Sequence, residues 1–69
     1  MTNAQKIRLA LTYKRMGEAE LARALQTSPS AFNQRMKTDK FSSVELERIA
    51  EIIGATYESY FFFPDGTRF

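Results

Sequence analysis

The apolar residues of this chain recur at helical spacing in four separate segments. Side chains three or four positions apart lie on one face of a helix, so each segment predicts an amphipathic helix with one apolar stripe. The predicted helices span residues 3–15, 18–25, 29–37 and 43–53. Their stripes are expected to meet in one core, and they consist of Ile7, Ala10 and Leu11, of Leu21, Ala22 and Leu25, of Phe32 and Met36, and of Leu46, Ile49, Ala50 and Ile53.

Capping residues mark the predicted helix ends. Ser28 is a good N-cap for the third helix, and Pro29 fits its first position, where the N–H that proline lacks would have no partner. Gly54 is a typical residue just past the end of the fourth helix. Further helix starts are predicted at Thr2 with Gln5, at Gly17, and at Ser42 with Glu45.

The segment after the fourth helix differs in kind, because residues 56–63 are aromatic and β-prone. A turn sequence at 64–67 separates them from residues 68–69, which predicts a strand or a small hairpin. Unpaired strand amides beside exposed aromatic rings favour pairing with a second copy, through Tyr57, Tyr60, Phe61, Phe62 and Phe63. In the alternative, the aromatic side chains fold back over the helical core of the same chain, namely Tyr57, Phe61 and Phe63.

Composition narrows the range of functions. The 69 residues correspond to one small domain, and they include no Cys and no His. Disulfides, thiolate chemistry, the usual zinc ligands and imidazole catalysis are therefore excluded. We predict no enzymatic activity, no metal and no cofactor. No apolar run approaches the roughly 20 residues that a membrane span needs, and the first residues lack the apolar region of a secretory signal, so a soluble cytoplasmic protein is expected.

Charge is distributed unevenly along the chain. Residues 1–40 contain eight Lys or Arg against three Asp or Glu, a balance of +5, whereas residues 41–69 contain two against five, a balance of −3. The positive potential thus lies on the half that contains the second and third predicted helices, which favours a nucleic-acid partner. An ordinary solvated helical surface is the alternative explanation.

Residues 18–37 have the pattern of a helix-turn-helix, with two short helices and a tight turn between them. The side of the third helix opposite its apolar stripe carries Ser30, Gln34 and Lys37, flanked by Asn33 on one side and by Ala31 and Arg35 on the other. An amide side chain presents a donor and an acceptor side by side, which matches the N6 and N7 edge of adenine. We therefore predict that this face reads bases in a major groove of double-stranded DNA.

Cationic side chains beyond the reading positions are predicted to hold phosphates and set the register without carrying sequence information. They are Arg35, Lys37 and Lys40, with Arg23 on the outer side of the second helix as a weaker candidate. Each of them has an alternative role as an ordinary solubilising charge.

Several residues form a sequence pattern that is found in a known protein family, namely Glu20-Leu21-Ala22, Leu25, Ser28, Phe32, Leu46, Ile49, Ala50 and Gly54. Over residues 5–54 this pattern resembles the phage repressor and Cro type, or Xre-type, helix-turn-helix domains. The resemblance implies a mainly α fold, a four-helix repressor-like domain with a short C-terminal strand or hairpin. It also implies a bacterial or phage transcription regulator that acts as a homodimer on a palindromic operator. Carried over by position, the base-reading residues are Pro29, Ser30, Asn33 and Gln34, and Ser28 touches phosphate.

Three residues depart from the pattern of that family. Pro29 offers no side-chain hydrogen bond, so only apolar readout is expected there. Glu18 stands where many members have a Gln near the DNA backbone, and its carboxylate would repel phosphate. Gln26 replaces a frequent Gly in the turn, and we expect it at positive φ, at a cost of roughly 1 kcal/mol.

A second class of function fits the same scaffold. The domain would then be a protein-interaction module, such as an antitoxin, an adaptor or an inhibitor of another regulator, and the aromatic tail would dock the partner. Glu18 and Pro29 favour this hypothesis, because a carboxylate repels phosphate and proline offers no side-chain hydrogen bond to a base.

Overall fold

Helix caps and apolar stripes produce the elements that the sequence predicts. The computed structural model describes residues 1–58 and 61–69, and in these ranges the chain forms four helices and two short strands. They are α1 (Asn3–Lys14), α2 (Glu18–Ala24), α3 (Pro29–Thr38), α4 (Ser43–Ile53), β1 (Thr56–Tyr57) and β2 (Phe61–Phe62). The fold is mainly helical with a short C-terminal hairpin, as expected. Each helix begins at the predicted residue and ends within one residue of the prediction.

The predicted helix starts are formed by local hydrogen bonds. The Ser28 hydroxyl accepts a hydrogen bond of 3.1 Å from the N–H of Ala31, and Pro29 follows as the first residue of α3. Gly17 is the N-cap of α2. Capping boxes begin the first and fourth helices, and they consist of Thr2 with Gln5 and of Ser42 with Glu45.

The turn between α2 and α3 depends on one residue in the left-handed region. Gln26 has a φ of 60°, which confirms the expectation from the sequence. Its N–H donates to the carbonyl of Arg23 and that of Thr27 donates to the carbonyl of Ala22, each at 3.0 Å. This pair of bonds is a Schellman motif, which satisfies the last carbonyls of α2 and reverses the chain direction before α3.

The apolar stripes of the four helices meet in one core, as predicted. Every predicted stripe residue is buried except Leu25, which is half-buried and packs against the others. Two tail residues complete this core, since Phe61 and Phe63 are 0% and 2% exposed. The alternative in which aromatic side chains fold back over the helical core of the same chain is therefore correct for Phe61 and Phe63. Neither ring is exposed to a partner.

The tail forms a small antiparallel sheet. In its register Thr56 is opposite Phe62 and Tyr57 is opposite Phe61. The other edge of β2 is covered by the end of the chain, because Phe61 and Phe69 exchange two backbone hydrogen bonds of 2.8 and 2.9 Å. Both edges of β2 are therefore occupied, one by β1 and the other by Phe69, and neither is open to another chain. The outer edge of the hairpin is the edge of β1 that faces away from β2.

Contacts with α1 hold this tail in place. The Tyr13 hydroxyl donates to the carboxylate of Asp65, and the Thr67 hydroxyl donates to the Tyr13 oxygen at 3.3 Å. The Tyr13 ring lies 4.7 Å from that of Phe63 and 5.7 Å from that of Phe69, centroid to centroid. In the ranges that the structure covers, no helix is long and apolar enough to cross a membrane.

Candidate nucleic-acid interface

Helix α3 has one buried side and one side open to solvent. Phe32 and Met36 are 1% and 3% exposed and belong to the same core cluster as Leu21 and Ile49. The opposite side is exposed and carries Ser30, Gln34 and Lys37, as predicted, and Asn33 on its flank is exposed as well. The burial of two large side chains holds the helix against the body of the domain while this polar side stays accessible.

The exposed amides are available for an external ligand. The side chains of Asn33 and Gln34 make no hydrogen bond to any other described residue, and both residues are exposed. The hydroxyl of Thr38 bonds the backbone carbonyl of Gln34, at 3.2 Å, and leaves the side-chain amide unengaged. Each amide can therefore offer a donor and an acceptor together.

The start of α3 lies at the same exposed surface. Ser28 and Pro29 are both exposed. The Ser28 oxygen accepts a bond from its own helix, and its O–H can still donate to an external acceptor such as a phosphate oxygen. Pro29 presents only an apolar ring.

The four predicted phosphate-binding cations fall into two groups. Arg23, Lys37 and Lys40 are exposed. Arg35 is half-buried, forms an ion pair with Glu45 of α4, and places its guanidinium 5.9 Å from the centroid of the Phe41 ring. The sequence placed Arg35 beside the reading face, but its partner on another helix was not predictable from helical spacing.

Another cation, absent from the sequence predictions, lies near α2. Arg8 of α1 approaches Glu18 with 3.8 Å between Nε and Oε2, and both side chains are about half exposed. A pair this long and this exposed contributes little to stability, but it places a positive charge beside the carboxylate that would otherwise repel phosphate. Nothing in the local sequence indicated this pair, because the two residues belong to different helices.

The tail offers a strand edge rather than an aromatic surface. Phe61 directs its backbone hydrogen bonds to Phe69, so it has none toward its register partner Tyr57. The N–H and C=O of Tyr57 therefore point to the outer edge of the sheet. A groove lies beside this edge, and it is lined by Glu47, Ala50, Glu51, Ala55, Thr56 and Tyr57.

The predicted partner-binding aromatic residues are thus dispersed. Tyr57 is half-buried, with its hydroxyl 3.5 Å from Oδ1 of Asn3, and Phe62 is 37% exposed on the opposite face of the sheet from Phe61 and Phe63. Tyr60 lies outside the described residues.

A comparison of the chain with protein-family models, with curated proteins and with solved structures found no match. Among the residues that the structure describes, no cluster of carboxylates or other ligands is arranged to hold a metal ion. The candidate interfaces of this protein are therefore the exposed surfaces of α2, α3 and the tail.

Proposed function

We propose that this protein is a cytoplasmic, sequence-specific DNA-binding regulator of the Xre type, from a bacterium or a phage. The observation that carries the proposal is the division of α3 into a core side and an exposed polar side. Its core side is held by Phe32 and Met36, and its outer side presents unengaged amides at Asn33 and Gln34.

In this proposal α3 enters the major groove and α2 crosses the DNA backbone above it. Asn33 and Gln34 each recognise an adenine edge, and a good bidentate contact is worth about 1–3 kcal/mol of discrimination against the wrong base. Ser30 is less selective because a hydroxyl both donates and accepts. Pro29 contributes an apolar contact, such as one with a thymine methyl group.

Phosphate contacts come from the exposed polar residues around α3. Lys37 and Lys40 lie at and beyond its end, Ser28 at its start, and Arg23 on α2. They set the register and make the affinity salt-dependent. Because a single small module makes few contacts, specific binding requires two copies about one turn of DNA apart.

The outer edge of β1 is the surface that we propose for pairing the two copies. Tyr57 directs a backbone donor and acceptor outward there, and an antiparallel partner strand satisfies both. This assigns the homodimer to the backbone of the tail and not to its buried aromatic rings.

The direct test is selection from random-sequence double-stranded DNA followed by sequencing. The wild type is compared with Gln34→Ala and with Thr12→Ala, which shortens an exposed side chain of α1 outside the proposed site. We expect a palindromic site for the wild type and Thr12→Ala, and relaxed preference at one position of each half-site for Gln34→Ala. Featureless binding that is the same in all three proteins would overturn the proposal.

One observation favours a role in protein docking as the second candidate. The β1 edge lies beside a groove that contains Glu47 and Glu51, and this arrangement suits an extended basic segment of another protein. In that case the protein binds no specific DNA, and substitutions on α3 leave partner binding unchanged.

A further inference from the structure

Arg35 differs from the other cations of α3 in having a partner on the next helix. Its guanidinium pairs with Glu45, and the two side chains are 37% and 28% exposed. Both are less exposed than the side chains of the Arg8–Glu18 pair, at 54% and 41%. Because solvent screens a less exposed pair less strongly, we expect Arg35 and Glu45 to attract each other more strongly than Arg8 and Glu18 do.

The Glu45 carboxylate is itself held in place. Its Oε1 accepts a hydrogen bond of 2.9 Å from the N–H of Ser42, and the Ser42 hydroxyl accepts one of 3.2 Å from the N–H of Glu45. This capping box fixes the carboxylate against the first turn of α4. Its second oxygen, Oε2, is the one that pairs with Arg35.

An aromatic ring completes the connection between the two helices. The Phe41 ring centroid lies 5.9 Å from the Arg35 guanidinium and 6.2 Å from the ring of Phe32. Phe32 is the buried anchor of α3, and Arg35 lies on the flank of the same helix. Phe41 therefore packs against both Phe32 and Arg35 of α3, while the Arg35 guanidinium also pairs with Glu45 of α4.

We propose that Arg35 is a positioning residue, fixed by Glu45 and Phe41, which sets the rotation of α3 about its axis and so aims Asn33 and Gln34 at the bases. This inference rests on the proposed DNA-binding function. A guanidinium neutralised by a carboxylate of its own chain does not release counterions from DNA. Arg35 is accordingly removed from the set of phosphate contacts predicted from the sequence.

Two charge-removing variants, their combination and Arg35→Lys test the inference. Arg35→Gln removes the cation, and Glu45→Gln removes the pairing charge while keeping an oxygen that can accept from Ser42. Affinities for the selected operator and for random DNA are measured at several salt concentrations, below the unfolding temperature of every variant. Lys37→Gln, at a proposed phosphate contact, is the matched control.

We expect Arg35→Gln and Glu45→Gln each to weaken operator binding by about tenfold, and the double variant to be no weaker than either single variant. Random-sequence binding and the salt dependence stay at the wild-type values. Lys37→Gln instead reduces the magnitude of the negative slope of log K against log salt by about one. Arg35→Lys does not restore wild-type operator affinity, because an ammonium does not reproduce the planar stacking of a guanidinium.

The opposite results would overturn the inference. If Arg35 contacts phosphate, its loss reduces the magnitude of the negative salt slope by about one, Arg35→Lys restores binding, and Glu45→Gln strengthens binding by removing a negative charge. A second readout needs no DNA: the Glu45→Gln variant should shift the side-chain amide NMR signals of Asn33 and Gln34. Unchanged signals refute the positioning role, whereas absence of DNA binding by the wild type refutes the proposed function alone.

Discussion

The carboxylate of Asp39, just past the end of α3, accepts a hydrogen bond of 2.7 Å from the backbone N–H of Ala4 in the first turn of α1. The two residues are 35 positions apart. One side chain therefore caps a distant helix and ties the end of the proposed reading helix to the start of the chain. A carboxylate at this place also interacts favourably with the positive end of the α1 dipole.

This contact predicts different costs for two substitutions of Asp39. Asp39→Ala loses the acceptor and places alanine, which tolerates the left-handed region less well than aspartate, at a φ of 55°, and we expect a loss of about 2 kcal/mol in the free energy of unfolding. Asp39→Asn keeps an acceptor oxygen and a residue that tolerates this backbone, and it should cost only about 0.5 kcal/mol. Urea denaturation measures both, and equal losses would show that the bond to Ala4 does not stabilise the fold.

The left-handed conformation of Gln26 predicts a stabilising substitution. Gln26→Gly removes the Cβ strain at a φ of 60° and should raise the free energy of unfolding by about 0.5–1 kcal/mol. Thermal unfolding followed by circular dichroism should show a rise of about 4–8 °C per kcal/mol for a domain of this size. Ala24→Gly, at the last residue of α2, is the control, and there glycine should lower the free energy of unfolding, because it is a poorer helix former than alanine. A Gln26→Gly protein that melts below the wild type would contradict this explanation.

The hydrogen bonds of the tail predict a pH effect below neutrality. The Tyr13 hydroxyl, followed by the backbone N–H and the side chain of Thr67, lowers the pKa of Asp65 below its ordinary value of 3.8. Because the pKa is lower in the folded state, the stabilisation is fully present above about pH 3.8 and is lost as the pH falls through the folded-state pKa.

Carbon NMR of the Asp65 carboxyl group checks this assignment. Tyr13→Phe removes the largest cause and should move the pKa back toward 3.8. Thr67→Val removes only the hydroxyl and should have a smaller effect, since the backbone N–H still donates to Oδ1 at 2.9 Å. A larger shift in Thr67→Val than in Tyr13→Phe would reverse the assignment.

Lys37 and Arg48 predict contrasting salt effects on DNA binding. Lys37→Ala should weaken binding to all sequences and reduce the magnitude of the negative slope of log K against log salt by about one, because one phosphate contact is lost. Arg48→Ala removes the same charge from the exposed side of α4, outside the proposed interface, and should leave the slope unchanged. Filter binding at several salt concentrations distinguishes the two. Equal slopes for both variants would place Lys37 away from the DNA.

The glutamates beside β1 predict how the dimer depends on salt. Pairing through the outer edge of β1 brings together the grooves of two copies, and each groove contains Glu47 and Glu51. Repulsion between these carboxylates opposes association. Dimerisation measured by analytical ultracentrifugation without DNA should therefore strengthen as salt rises, and Glu51→Gln should strengthen it at low salt. Glu18→Gln, outside the groove, should have no effect. A dimer that weakens with salt would place the interface elsewhere.

Local chemistry in the sequence was sufficient for the helices and for one turn. Ser28, Ser42 and Gly54 begin or end helices through bonds to residues at most four positions away, and the chain order alone reveals such bonds. The apolar stripes show which side of each helix is buried, because helical spacing is independent of the fold. The same spacing indicated that Asn33 and Gln34 are exposed.

Tertiary structure decided which distant residues meet. Arg35 and Glu45 lie on different helices, Asp39 caps α1, and the tail residues Phe61 and Phe63 enter the core instead of facing a partner. Helical or strand periodicity predicts none of these contacts. It shows on which face of its own element a residue lies, but not which residue of another element it contacts. The sequence thus determined the four helices and the polar side of α3. The packing of the helices and tail decided which charges and aromatic rings remain available for a ligand, because that depends on the distances between elements far apart in the chain.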